Sequence, residues 1–260
     1  MSLCLSDQLV LTFGMTKFNP LYKSQSEHIY YKYLGDLNWN HIYKDGLLHD
    51  YYYPFVVATN DTYHLLSVQD DFTGVGNPNI YQQILYFEFS NGNWSQELFA
   101  DHSNHTLASG RPRMVEQDDL FIDSSGTVHA IYKENTYPEN RFFTDHIHFS
   151  KKKGGKQWTR EKLNLPKEIN WVRLFEVNGT IYFFANSWDK HYIARLDSQK
   201  LVQLPINDAI GAYPYVALTP TNINSEFTDI ILLAADSETF KKETNINYYI
   251  RIPKAYLTNL

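Results

Sequence analysis

Apolar and polar positions alternate along this chain in short runs, and the runs break at polar, Gly-bearing turns. Residues 146–163, HIHFSKKKGGKQWTREKL, run as a strand, a Lys–Gly turn, Trp158 and a second strand. HIYYKYLGDLNWNHIY (28–43) and ILYFEFSNGNWSQELF (84–99) repeat the arrangement around Trp39 and Trp94. A period of two predicts a half-buried strand, and two such runs about a tight polar turn predict a β-hairpin. YIARLDSQKLVQL (192–204) keeps the pattern with Leu201 near the Trp position, and INYYIRIPKAYL (246–257) puts Tyr256 there.

The tryptophans stand farther apart than a hairpin spans, so each repeat holds more strands. One precedes each hairpin: DQLVLTFGM (7–15), DTYHLLSVQ (61–69), GTVHAIYKE (126–134), GTIYFFANS (179–187) and TDIILLAAD (228–236). Upstream of four of these lies another: YPFVVAT (53–59), RPRMVEQ (111–117), NWVRLFEV (170–177) and YPYVALT (213–219). Pro54, Pro112 and Pro214 stand second in three of them, as expected where a strand begins and a missing donor costs little. MSLCLS fills the corresponding place at the N-terminus. Four antiparallel strands repeated every fifty residues or so predict an all-β fold, a β-propeller with one blade per repeat. The expected blades are 1–46, 47–103, 104–166, 167–207 and 208–260, in one domain; the alternative is a partial or complete six-bladed ring. No long stretch has apolar residues at helical spacing.

Composition agrees with this. Aromatics make up 16 % of the chain, with 20 Tyr, 16 Phe and 5 Trp, a strand-forming mixture. The formal net charge of -6 disfavours a phosphate-backbone partner, so nucleic acid is not expected. One cysteine, Cys4, precludes an intrachain disulfide. No apolar run has the length of a membrane helix, so membrane insertion is not expected. The start shows no leader pattern. Met1–Leu3 read as added residues in place of a native leader, which would put the protein outside the cell or on its surface; otherwise it is cytoplasmic.

Ser150, Gly154 and Trp158 resemble, in order, the Asp-box of sialidase-type (BNR) repeats, which runs Ser-x-Asp-x-Gly-x-x-Trp across a blade's outer hairpin. Lys152 replaces the Asp, and one extra residue precedes the Trp. Ser90, Gly92 and Trp94 form a shortened copy, and Gly35 with Trp39 a thinner one. The resemblance implies that Trp39, Trp94 and Trp158 are packing wedges. It also directs attention to the starts of the inner strands, where propeller ligands bind. There stand Asp50, Tyr52, Arg111, Arg113, Trp171, Arg173, Tyr213 and Tyr215. Arginine forks bind carboxylates and aromatic faces stack on sugar rings, so the expected partner is a glycan or small carbohydrate. The competing reading is that the tyrosines plug the channel.

Asp50, Glu116, Asp118, Asp119 and Glu176 are the carboxylate candidates for glycosidic chemistry, Asp50 the best placed and the others at strand ends or in turns, and His129 is the candidate base. His129 occupies the repeat position of His64, which points equally to a hydrogen-bonding role. His146 and His148 alternate on one strand and share a face, but no third metal ligand accompanies them. No cofactor is expected; a structural cation in the loop 70–79, DDFTGVGNPN, is the one open alternative. The sequence thus points to a propeller that binds or processes a glycan, as a glycoside hydrolase or lyase relative, against a non-catalytic protein-interaction propeller.

Overall fold

The computed structural model describes the side chains of residues 37, 38, 55–57, 59, 62–68, 82–102, 114–135, 145–187, 190–205 and 251–260, and the backbone pairing of the remaining strands. The first sheet pairs β1 (Ser2–Cys4), β2 (Val10–Asn19), β3 (Ser24–Tyr33) and β4 (Asn40–His41) in that order. The second pairs β5 (His49–Ala58), β6 (Thr62–Asp71), β7 (Tyr81–Ser90) and β8 (Asn93–Asp101). The third holds β9 (Val115–Ile122), β10 (Val128–Glu134), β11 (Asp145–Lys151) and β12 (Thr159–Lys162). The fourth holds β13 (Trp171–Val177), β14 (Thr180–Asn186), β15 (His191–Arg195) and β16 (Val202–Gln203). A three-stranded sheet of β17 (Tyr213–Leu218), β18 (Phe227–Ala235) and β19 (Ile246–Pro253) follows. Each sheet is an antiparallel meander.

Tight turns explain the meander. Asn91-Gly92 and Asn178-Gly179 both adopt positive φ, at 51° and 79° and at 51° and 75°. That is the two-residue hairpin geometry whose twist matches the strands it joins. The expected strand after β19 is absent among the described residues. Lys254–Leu257 instead forms a helical turn, α1, that leaves Tyr256 exposed. Pro253 supplies no donor to extend the sheet, and Lys-Ala-Tyr-Leu favours a helix. Pro54 also departs from expectation. It lies inside β5, between Tyr52 and Phe55, where the register with β6 slips. A bulge tolerates the missing donor as a strand start does.

The chain divides into two compact units. Residues 1–122 and 126–162 form the first, residues 123–125 and 163–260 the second. In the first, the opening strands of successive sheets are neighbours, β1 beside β5 and β5 beside β9; in the second, β13 lies beside β17. The core of the first unit lies between the second and third sheets. Leu66, Val68, Ile84 and Tyr86 meet Leu120, Val128, Ala130, Tyr132, Ile147 and Phe149. Trp158 is partly buried against this core, 4.8 Å from both Tyr86 and Phe99, ring centre to ring centre, and edge-on to each. It comes from the third sheet and packs on rings of the second, so it is a wedge between sheets. Trp94 packs with Val56, Leu65, Leu85 and Phe87, on the opposite face of the second sheet. Trp39 lies outside the described residues. The second unit has its own core of Phe175, Val177, Tyr182, Phe184, Ile193 and Leu204, closed by Ile252 and Leu257.

Candidate functional site

One residue breaks the register of β9. Ile131 pairs with Asp119, but the next residue, Tyr132, pairs with Gln117, which leaves Asp118 as the extra residue of a bulge. Bulges redirect side chains. Asp118 is 0 % exposed; its Oδ2 accepts from His146 Nδ1 at 2.6 Å, and its Oδ1 lies 3.5 Å from Lys133 Nζ. The same ammonium reaches Glu116 Oε2 at 3.3 Å. Lys133 and His146 are buried, whereas the Glu116 side chain is 26 % exposed. The result is a charged chain, Glu116–Lys133–Asp118–His146, that begins at the surface and ends inside the protein. Because both carboxylates meet one ammonium, their oxygens stand within about 7 Å of each other. Of the four, only Glu116 is open to a ligand.

More polar groups gather at this end of the sheet, where β9 and β11 begin and β10 ends. His102 Nε2 meets the buried Glu134 carboxylate at 2.7 Å, and Gln82 Nε2 donates to the His102 carbonyl. Asn135 Oδ1 accepts from Met114 N at 2.7 Å, tying the strand start. Lys162 and Asp145 pair at 2.7 Å.

His129, the candidate base, is buried in the middle of this sheet. It stacks on His148 with ring centres 5.3 Å apart, and its Nδ1 lies 3.0 Å from His148 Nε2. His148 Nδ1 lies 2.9 Å from Glu161 Oε1. A carboxylate only accepts, so His148 donates from Nδ1. Burial holds the His148 pKa below its ordinary value; the bond to Glu161 offsets part of that and His129 adds to it. A neutral His148 then accepts at Nε2 and His129 donates from Nδ1.

His64, the repeat equivalent of His129, also bonds along its own sheet. Tyr86 Oη donates to Glu88 Oε2 at 3.0 Å, so it accepts from His64 Nδ1. Lys151 Nζ completes the line, 2.8 Å from Glu88 Oε2, and sits 4.8 Å from the Trp158 ring centre. Burial lowers the His64 pKa to about 4, and Glu88 offsets only part of that. Burial, reinforced by Glu88, raises that of Tyr86. For Glu88 burial pushes upward, but bonds from Lys151 and Tyr86 outweigh it and hold the carboxyl below its ordinary value. Both repeated histidines are therefore hydrogen-bonded positions in buried surroundings.

In the second unit, Trp171 and Arg173 stand half-buried on β13, the guanidinium 5.6 Å from the indole centre. Asp50 and Tyr52 lie on β5 opposite Asp70 and Val68, and Tyr213 and Tyr215 on β17 opposite Ala235 and Leu233. Those four side chains, together with Arg111 and Arg113, fall outside the described residues. Among the described residues no group of three or more His, Cys, Asp or Glu side chains could hold a metal ion. His146 and His148 each face a different carboxylate instead. Asp118, expected as a solvated acid at a strand end or in a turn, instead lies within β9 and is buried, because the bulge turns it inward.

No family model matches the sequence, and no curated protein sequence matches it. Solved structures do. The chain resembles a GH93 α-L-arabinofuranosidase of Fusarium graminearum, in complexes with an iminosugar inhibitor and with arabinobiose. TM-scores are 0.57 and 0.56, at 11 % identity over 96 % of this chain and 73 % of the enzyme. A GH43 β-1,3-galactosidase gives a TM-score of 0.50 at 10 % identity, over 94 % of this chain and 53 % of that one. A Trypanosoma rangeli sialidase gives 0.51 at 8 %, over 89 % and 42 %. All are glycosidase propellers, and at these identities the likeness is one of fold.

Proposed function

We propose that this chain is a five-bladed, carbohydrate-directed β-propeller that binds or processes a glycan where the opening strands of its sheets begin. The observation that carries the reading is Glu116, a partly exposed carboxylate at the start of β9 held by Lys133, on a fold resembling glycosidase propellers. Glu116 is the proposed acid–base group. Asp118, His146 and Lys133 would set its position, since none of them reaches solvent. Asp50 is the proposed partner acid from the neighbouring strand β5. His129 would serve only through its hydrogen-bonded chain. Tyr52, Arg111, Arg113, Trp171, Arg173, Tyr213 and Tyr215 are the proposed ligand contacts.

The test is a panel of aryl glycosides and oligosaccharides, screened for turnover and for binding. Glu116→Gln should cut turnover about 100-fold or more with binding kept, the range expected on losing a general acid or base. Arg111→Ala and Arg173→Ala should weaken binding. A wild-type protein that neither binds nor turns over any member would sink the proposal.

One observation favours a second reading, a non-catalytic propeller with a protein partner. Glu116 and Asp118 share Lys133, so both carboxylates already have an ion-pair partner within the chain itself. Binding without turnover, unchanged in Glu116→Gln, would select a non-catalytic role; a protein partner would need its own pull-down.

A further inference from the structure

The core face of the fourth sheet changes character at the end where β13 begins. Phe175, Tyr182, Phe184 and Ile193 fill its middle. Beyond them the register sets Trp171, Asn186 and His191 side by side in one row across β13, β14 and β15. Arg173 stands one step along the same face, beside Trp171. Asn186 and His191 are buried, and His191 stacks on Phe184 with ring centres 5.7 Å apart.

Asn186 is the unusual member of the row. Its Nδ2 donates to the Ser187 carbonyl at 3.4 Å, which sets the orientation of the amide, because only the NH2 end can donate. Its Oδ1 then has no hydrogen-bond partner among the described residues, although the residue is 0 % exposed. An acceptor buried without a donor costs stability, and native proteins keep few of them.

We infer that this row is a subsite for a sugar ring, with the C–H face of the ring on the Trp171 indole and a ring hydroxyl donating to Asn186 Oδ1. A hydroxyl supplies the donor that the acceptor lacks. Arg173, its guanidinium 5.6 Å from the indole centre, stays a ligand contact at the edge of the row. Because Asn186 is buried, ligand entry displaces the half-buried side chains beside it, which makes the Trp171 indole the natural reporter. The inference rests on the carbohydrate reading above, and extends it by assigning Asn186 and the hydroxyl it accepts from.

The experiment follows the Trp171 indole N–H of the full chain by NMR, assigned with Trp171→Phe. The probes are L-arabinose, D-xylose and D-galactose, with acetate, a carboxylate without a hydroxyl, as the control. At least one sugar should move the signal, and acetate should not. Asn186→Leu should weaken that response tenfold or more while melting at or above the wild-type temperature, because it removes an unsatisfied buried acceptor. Trp171→Ala, read by calorimetry, is the second arm and should lose affinity to the same degree. A response to acetate equal to that of the sugars, or an unchanged response in Asn186→Leu, overturns the subsite. If the oligosaccharide panel binds while the indole signal stays still, the subsite falls and the carbohydrate reading stands. If nothing binds in either assay, both fall.

Discussion

The two faces of the third sheet are built on the same strands and bury opposite chemistries. One face presents Val128, Ala130, Tyr132, Ile147 and Phe149 to the second sheet, with Trp158 wedged at its margin. The other carries His129, Lys133, His146 and His148, all buried, with Asp118 turned in by the bulge. Alternation places successive side chains on opposite faces, so one seven-residue strand such as β10 feeds both. The apolar face gains from area removed from water and needs only matching shapes. The polar face must satisfy each donor and acceptor by a named partner, and so depends on cross-strand register to within one residue.

Breaking the apolar side should have the largest effect. Phe149→Ala removes a ring stacked 4.5 Å from Phe99 at the sheet junction. It should cost about 4 kcal/mol, read as a fall in the urea midpoint. On the polar side, Asp118→Asn keeps the volume but leaves His146 buried without its carboxylate and Lys133 with Glu116 alone. About 3 kcal/mol should be lost in the same assay. A variant as stable as wild type would show that the charged chain is not held together by Asp118.

The smallest effect separates the two faces by pH. His64 lies at the margin of the apolar junction and titrates near 4 in the folded protein, below its ordinary 6.5. Its contribution is therefore fully present above pH 6.5 and is lost as pH falls toward 4. Wild type should lose about 2 kcal/mol between pH 7 and pH 5 from this group. His64→Gln keeps a donor for Tyr86 and should flatten the pH dependence by that amount. Glu88 acts in a lower window, below its ordinary 4.5, where protonation releases Lys151. A pH profile unchanged in His64→Gln would remove His64 from the account.

Much of the fold was legible because strands and turns are local. The Asn91-Gly92 hairpin and the strand β10 follow from period-two alternation and turn chemistry, while the Trp158 wedge was what the Asp-box resemblance implied. The last sheet was misread at Tyr256, where a helical turn competes with a strand over four residues too few to show a period. The candidate site was half legible. Trp171 and Arg173 were proposed from their place at a strand start, and Glu116 and Asp118 stood among the carboxylate candidates as solvated strand-end or turn acids. The burial of Asp118 and the whole of Asn186 were not legible, since nothing adjacent to either in sequence marks it as buried.

The amino-acid order by itself determined the repeat, the strand boundaries to within a few residues and which positions alternate toward an interior. Those properties depend on neighbours along the chain, through sterics, turn geometry and hydrophobic period. Tertiary structure alone decided which polar groups meet. A one-residue bulge turns Asp118 toward His146, from 28 positions away. Cross-strand register sets Asn186 between Trp171 and His191. Such partnerships exist only once separate strands are held side by side, because burial and hydrogen-bond satisfaction are properties of the assembled sheet.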